Sequence, residues 1–210
     1  MSKRILDIQQ WNRKEHYEFF SQFEEPYFGL NFSIDCTIAY QKAKSRQISF
    51  FVYYLYQSLK ACNDVDNFKY RIEDGQVVCY EQIHASATIG RPDTTFGFSF
   101  VPFSDSLEEF ARHAAEEAEA IHNSTGLRLN DRTGRADAIH FFSIPWINFT
   151  GLTHARNYKY PDSVPKISFG KMHKKGDKLL MNSSVHVHHG LMDGYHVGLY
   201  VDAFQNYMNA

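Results

Sequence analysis

The sequence predicts an α+β fold, a two-layer sandwich in which helices pack on one large mixed, largely antiparallel sheet. Three observations predict it. Strand-like runs are interspersed with helical ones along the whole chain. Asp74-Gly75 lies between two β-prone runs, a strong hairpin signal. Near the C-terminus two further strand-like runs are joined by a turn around "KKGDK" and followed by an amphipathic helix.

Taken in order, residues 13–23 read as a short helix, with Tyr17, Phe20 and Phe23 at i, i+3 and i+6. Residues 28–37 alternate in part, as a strand does. Residues 47–62 are apolar nearly all round, which over that length marks a buried helix. The hairpin occupies 68–80. Residues 96–103, "FGFSFVPF", alternate aromatic with small residues and read as a strand. A helix then opens at Ser106, where Ser106 and Glu109 form a capping box. Residues 123–137 are polar and turn-rich, a surface loop, and 138–149 read as a strand broken at Pro145. The last elements are strands over 164–172 and 178–189, then a helix carrying Val197, Val201, Phe204 and Met208 at helical spacing.

With 210 residues and no linker or repeat, the chain reads as a single domain over 1–210. The net charge of -2 supplies no field to recruit nucleic acid or anionic lipid. Three widely spaced cysteines without a C-x-x-C suggest neither a disulfide framework nor a cysteine metal site. The N-terminal residues lack a secretory apolar run, and the longest apolar stretch, 48–56, is too short to span a bilayer. A cytoplasmic location is expected. Aromatics make up 16% of the residues, enough to line an apolar cavity or to fill a core.

The chemically suggestive stretch is "HVHHGLMDG", residues 186–194. On a strand His186 and His188 face one way and His189 the other. Three readings are open. Metal binding would need His196 and Asp193 to curl back and complete a shell, a poor signature for zinc. His186 and His188 read instead as semi-buried strand residues hydrogen-bonded to neighbours. His189 stands where a strand ends and a turn begins, a position that holds an imidazole at a cavity mouth. A neutral imidazole is the natural proton acceptor near pH 7.

These residues resemble the H-H-x-x-x-D-G motif of the coenzyme A-dependent acyltransferases of the chloramphenicol acetyltransferase family. The likeness extends to "WNRKEHYEFF" (11–20), "IEDGQVVCYEQI" (72–83), "PWINFTG" (145–151), "GDKLLM" (176–181) and the final helix, all in family order. The motif alone does not separate this family from the dihydrolipoyl acyltransferases; the ordered segments do.

The resemblance implies that His189 is a general base, drawing a proton from an acceptor hydroxyl as it attacks the thioester of acetyl-CoA, with direct transfer in a ternary complex. It implies that Asp193 is structural and pairs with Arg13; Asp193 is also placed to cap the last helix. The family's oxyanion-binding serine, sought after the P-W segment, falls on Gly151, leaving Thr150 or a backbone N–H as donor. A water-binding hydroxyl falls on Ser168. For the acceptor pocket, a family tyrosine is replaced by Phe20, and Phe98 and Phe100 of the aromatic strand are candidates to line it. The co-substrate is acetyl-CoA, with no metal, and the assembly a homotrimer whose active sites lie between subunits. Chloramphenicol is the acceptor the resemblance names. The replacements at Gly151 and Phe20 keep two others in view: a different hydroxyl or thiol acceptor, or a non-catalytic trimeric binding protein of the same fold.

Overall fold

The computed structural model describes residues 2–157 and 162–210. The chain begins with β1 (Lys3–Ile5), a 3-10 turn (Ile8–Gln10), α1 (Lys14–Phe20) and β2 (Tyr27–Asp35). Next come α2 (Thr37–Ser45), α3 (Phe50–Asp64), α4 (Asp66–Lys69), β3 (Tyr70–Glu73) and β4 (Gln76–Tyr80). Then follow β5 (His84–Gly90), β6 (Phe96–Phe98), α5 (Leu107–His122), β7 (Ala138–Ser143), β8 (Lys166–Lys175), β9 (Lys178–His188) and α6 (Gly194–Asn209). The α+β expectation holds.

The strands form two sheets. A six-stranded sheet has the order β2-β9-β8-β7-β5-β6, and a three-stranded sheet the order β1-β4-β3. In the larger sheet β9 is antiparallel to β2 and β8, whereas β8, β7 and β5 run parallel. The mixture follows from the connections. Gly176, at φ 61°, lets β8 turn directly into an antiparallel β9. The parallel pairs need long crossovers, which α5 and the residues up to 165 supply.

One face of the large sheet is apolar and the other is polar. Along β9, Met181, Val185 and Val187 enter the main core with Ile167 and Phe169 of β8 and Phe141 of β7. Helices α3 and α6 cover this face with Leu55, Leu59, Tyr200 and Phe204. Alternation sends Ser184, His186 and His188 of β9, Ser168 of β8 and Phe142 of β7 to the opposite face. A second, smaller core gathers Tyr70, Val77, Cys79 and Leu191, with Trp11 and Tyr17 against it. It docks the N-terminal segment beside the turn that follows β9.

Several local expectations are met. Asp74 and Gly75 turn the β3–β4 hairpin with φ of 49° and 75°. Ser106 caps α5, accepting the Glu109 N–H at 3.2 Å. The return half of the box is absent, because Ser104 Oγ takes the Ser106 N–H at 3.1 Å and donates to Glu109 at 2.6 Å. Other expectations need correction. The strand expected over 96–103 is β6 alone plus an isolated Ala85–Val101 bridge. The strand read over 138–149 ends at Ser143, two residues before Pro145. Helix α2 buries only Ala39 and Ala43, so the bulky apolar period that reveals a helix is missing.

Candidate active site

The turn 189–193 links the end of β9 to the start of α6, and three sets of hydrogen bonds fix it. The His189 N–H donates to the Pro26 carbonyl at 2.7 Å, while Leu191 and Met192 N–H close back on the His188 carbonyl. Asp193 is the N-cap of α6, its Oδ1 accepting the Tyr195 N–H at 3.0 Å and lying 2.9 Å from His196 Nδ1. Arg13, immediately before α1, donates to Asp193 Oδ2 at 2.6 Å and to the His189 carbonyl at 3.2 Å. One guanidinium therefore clamps both ends of the turn. Burial alone raises the Asp193 carboxyl, but the Arg13 hydrogen bond and the charges of His196 and Arg13 outweigh it and hold it at about 2.

Gly190 makes the clamp possible. A Cβ there would lie 3.1–3.2 Å from the His188 ring and 3.3 Å from the Tyr17 backbone. The His188 ring is buried and its Nδ1 accepts the Gly190 N–H at 3.2 Å.

The His189 ring lies half-buried between two phenylalanines. It stacks on Phe20, centroids 3.9 Å apart at 10°, and tilts against Phe28 at 4.5 Å. Its Nδ1 is buried with no hydrogen-bond partner among the described residues. Phe20 thus braces the imidazole.

A cavity of 830 Å³ opens on the polar face of the large sheet, beneath residues 144–154. Thr88, Phe96, Phe142, Ser143, Trp146 and His154 are among its walls. Ser143, the last residue of β7, holds its hydroxyl against that of Tyr54. His154 Nε2 lies 3.1 Å from Ser168 Oγ, and the His154 ring meets the His186 ring edge-on at 5.0 Å. His186 bonds to the Leu152 backbone, and its ring fills the space over Gly29, where a Cβ would sit 2.6 Å from Nε2. Burial foremost, then His186, Lys166, His140 and Arg156, push His154 down to about 4, so its ring is neutral at pH 7.

The expected site residues thus fall into two groups. His189, Asp193, Arg13 and Phe20 meet at the turn. Ser168 stands beside the cavity, opposite Ser184 on β9. Five residues of extended chain separate Ser184 from His189, roughly 16 Å. Thr150 is exposed in a separate shallow pocket with Asn31, Ser33 and Asn182. Gly151 is exposed, with nothing within 4 Å of where its Cβ would be. Neither reaches the cavity. Phe100 is core rather than pocket, 3% exposed under the Arg135 guanidinium at 4.4 Å. Phe98 does not line the cavity either; Phe96, two residues earlier, does. His154 of the cavity wall is not among the residues singled out in the sequence, where it is a lone histidine in a polar loop.

Among the described residues no group of three or more His, Cys, Asp or Glu is arranged to hold a metal ion, and no helix is long and apolar enough to cross a membrane.

The family model of chloramphenicol acetyltransferase matches residues 1–205. The chain belongs to the chloramphenicol acetyltransferase family. Chloramphenicol acetyltransferase 3 of Escherichia coli is 27% identical over 213 residues, covering 100% of this chain and 99% of that protein. Among solved structures, a chloramphenicol acetyltransferase matches with a TM-score of 0.92 at 28% identity, covering 99% of this chain and 100% of its own. A probable dihydrolipoamide acetyltransferase from Listeria monocytogenes shares the fold, with a TM-score of 0.71 at 14% identity over 98% of this chain and 92% of that one. Within this family the clamp at the strand end and the cavity beside β7 are the two features on which an acyl transfer would draw.

Proposed function

We propose that the protein transfers the acetyl group of acetyl-CoA to a hydroxyl of chloramphenicol, with His189 as general base. The observation that carries this reading is the Arg13 clamp, which holds both the Asp193 carboxylate and the His189 carbonyl. It fixes an imidazole between Phe20 and Phe28, its Nδ1 buried. The Nε2 takes the hydroxyl proton as the oxygen attacks the thioester carbonyl carbon. The tetrahedral oxyanion then collapses, the C–S bond breaks, and the coenzyme A thiolate recovers the proton from the imidazolium. An alcohol is a weak nucleophile at neutral pH, and such base assistance contributes roughly 10²–10⁴-fold.

The oxyanion donor is Thr150 or a backbone N–H, since such a donor stabilises charge that develops only in the transition state. Ser143 adjoins the cavity at the end of β7, but its side chain is on the core side with Phe169 and its hydroxyl meets that of Tyr54.

The gap between His189 and the cavity of its own chain supports an active site shared between subunits of a trimer. The histidine of one subunit then faces the cavity of its neighbour.

The test is release of free thiol from acetyl-CoA in the presence of chloramphenicol, wild type beside His189→Ala. The wild type turns over and the variant loses about 10²–10⁴-fold, with acetyl-CoA binding retained. Near-normal turnover in the variant removes the base assignment, and a monomer by light scattering removes the shared site.

A further inference from the structure

The cavity beside β7 is apolar in most of its wall, with Phe96, Phe142, Ile144, Trp146 and Leu152 supplying aromatic and aliphatic surface. Against this background its one imidazole is anomalous. His154 is not a solvated loop residue: its Nε2 is 3.1 Å from Ser168 Oγ, and Ser168 is fully buried. Its ring is held on one side by Phe142 at 4.6 Å and on the other by the edge of His186 at 5.0 Å. The support continues one layer further. His186 is tied to the Leu152 backbone and occupies space that a side chain at residue 29 would deny it. Three strands, β7, β8 and β9, thus hold the ring in one orientation, and β2 makes room for His186 behind it.

An independent observation points the same way. Ser184 faces Ser168 across the β8–β9 pair, on the same face of the sheet. It is fully buried, yet its hydroxyl has no hydrogen-bond partner among the described residues. Buried hydroxyls are ordinarily satisfied by protein or by bound polar atoms. A neutral histidine in the wall, a buried serine bonded to it and an unsatisfied buried serine across from that one make a polar cluster behind one wall of an apolar cavity. Lys166 and Arg156 also act on His154, each ion-paired with a carboxylate, Asp162 and Glu25 respectively.

We propose that His154 is a specificity-determining residue that donates a hydrogen bond to an oxygen substituent of the acceptor alcohol, remote from the hydroxyl that is acetylated. The preferred acceptor has an apolar or aromatic body that fills the cavity, the reacting hydroxyl at its mouth and a second oxygen at the wall that carries His154. Ser168 sets the imidazole's orientation by hydrogen-bonding Nε2, which leaves the N–H of the opposite nitrogen for the ligand. The inference rests on the acetyl-transfer reading for the identity of the site.

The experiment compares 3-phenylpropan-1-ol with 3-(4-hydroxyphenyl)propan-1-ol, which differ by one oxygen at the far end. The kcat/KM for each is measured with acetyl-CoA, and the binding of each is measured by calorimetry, in wild type, His154→Leu and His154→Gln. Wild type prefers the oxygenated alcohol. His154→Leu loses about tenfold of that preference, through KM rather than kcat, and leaves the KM for acetyl-CoA unchanged. His154→Gln, which keeps an N–H, retains part of the preference and serves in its place if the leucine variant does not fold. An unchanged preference in both variants, by turnover or by calorimetry, overturns the proposal, as does equal handling of the two alcohols by wild type. If wild type binds both alcohols but acetylates neither of them nor chloramphenicol, the acetyl-transfer reading has failed while calorimetry still decides on His154.

Discussion

Replacing Asp193 by alanine tests the clamp most directly. The carboxylate makes three separable contributions. It accepts a charge-assisted bond from Arg13 at 2.6 Å, caps α6 through the Tyr195 N–H at 3.0 Å, and binds His196 Nδ1 at 2.9 Å. Arg13 is 8% exposed and Asp193 is 32% exposed, so the cation is buried but the anion is partly hydrated. Breaking a fully buried pair costs about 3–5 kcal/mol. Here the partial hydration of Asp193, and the bond Arg13 keeps to the His189 carbonyl, reduce that to about 2 kcal/mol, the range of one hydrogen bond to a charged group. Loss of the cap adds about 1 kcal/mol. The sum, about 3 kcal/mol, lowers the melting temperature of a chain this long by about 6–12 °C. Asp193→Asn keeps an oxygen for the Tyr195 N–H and should lose only about 2 kcal/mol. In an Arg13→Met background Asp193→Ala should cost only the cap, about 1 kcal/mol. Thermal unfolding by circular dichroism reads all five proteins, wild type and the Arg13→Met background included, and the thiol-release assay reads the displacement of His189. A melting temperature for Asp193→Ala within 2 °C of wild type refutes the reasoning. So does full additivity in the double mutant.

Three further outcomes are expected. Ser143→Ala removes a core-side hydroxyl bonded to Tyr54 and costs about 1 kcal/mol of stability with kcat within a few-fold of wild type; a loss of kcat of about 10²–10³-fold would make that hydroxyl the oxyanion donor. Gly29→Ala places a Cβ 2.6 Å from the His186 ring, so His186 and the Leu152 segment must shift, and the KM for the acceptor rises while acetyl-CoA saturation is unaffected. A normal acceptor KM would mean that His186 does not support the cavity wall. Finally, His140, His154 and His188 are each pushed down to about 4, burial being the main cause. The same rings titrate near 6.5 when unfolded, so between about 6.5 and 4 the unfolded chain binds more protons. Stability is therefore full above that window and lost as pH falls through it. Melting temperatures recorded from pH 7.5 to 4.5 should decline, less steeply in His154→Leu, and a flat profile would contradict the burial of these rings.

What the sequence disclosed and what it withheld divide along a physical line. The Asp74-Gly75 hairpin, the Ser106 cap and the Gly176 turn depend on residues within a few positions of one another, and each was legible. Helix α2 was not, because its core contact is made by two alanines that leave no amphipathic signature. The pairing of β2 with β9 and the separate three-stranded sheet are long-range facts with no local trace. The active-site residues follow the same rule. His189, Asp193 and Arg13 share motifs that survive as text, although the double use of Arg13 emerged only from the fold. Position along a motif does not say which residue ends a strand and which lies beyond it. His154 became conspicuous only once β8 and β9 brought serines beneath it.

The order in which the strands emerge from the ribosome sets a constraint of its own. Strand β2 is at the edge of the large sheet, and its neighbour there is β9. Its Phe28, Phe32 and Ile34 are made early, while the partner that covers their backbone is among the last segments synthesised. At ordinary translation speeds that leaves the strand waiting on the order of 10 s. An unpaired aromatic strand exposed for so long invites pairing with another nascent chain. Because β9 leads straight into the turn that carries His189, the step that retires this hazard is the one that installs the proposed base, and soluble yield and activity should rise and fall together when synthesis is slowed near the 3′ end of the message.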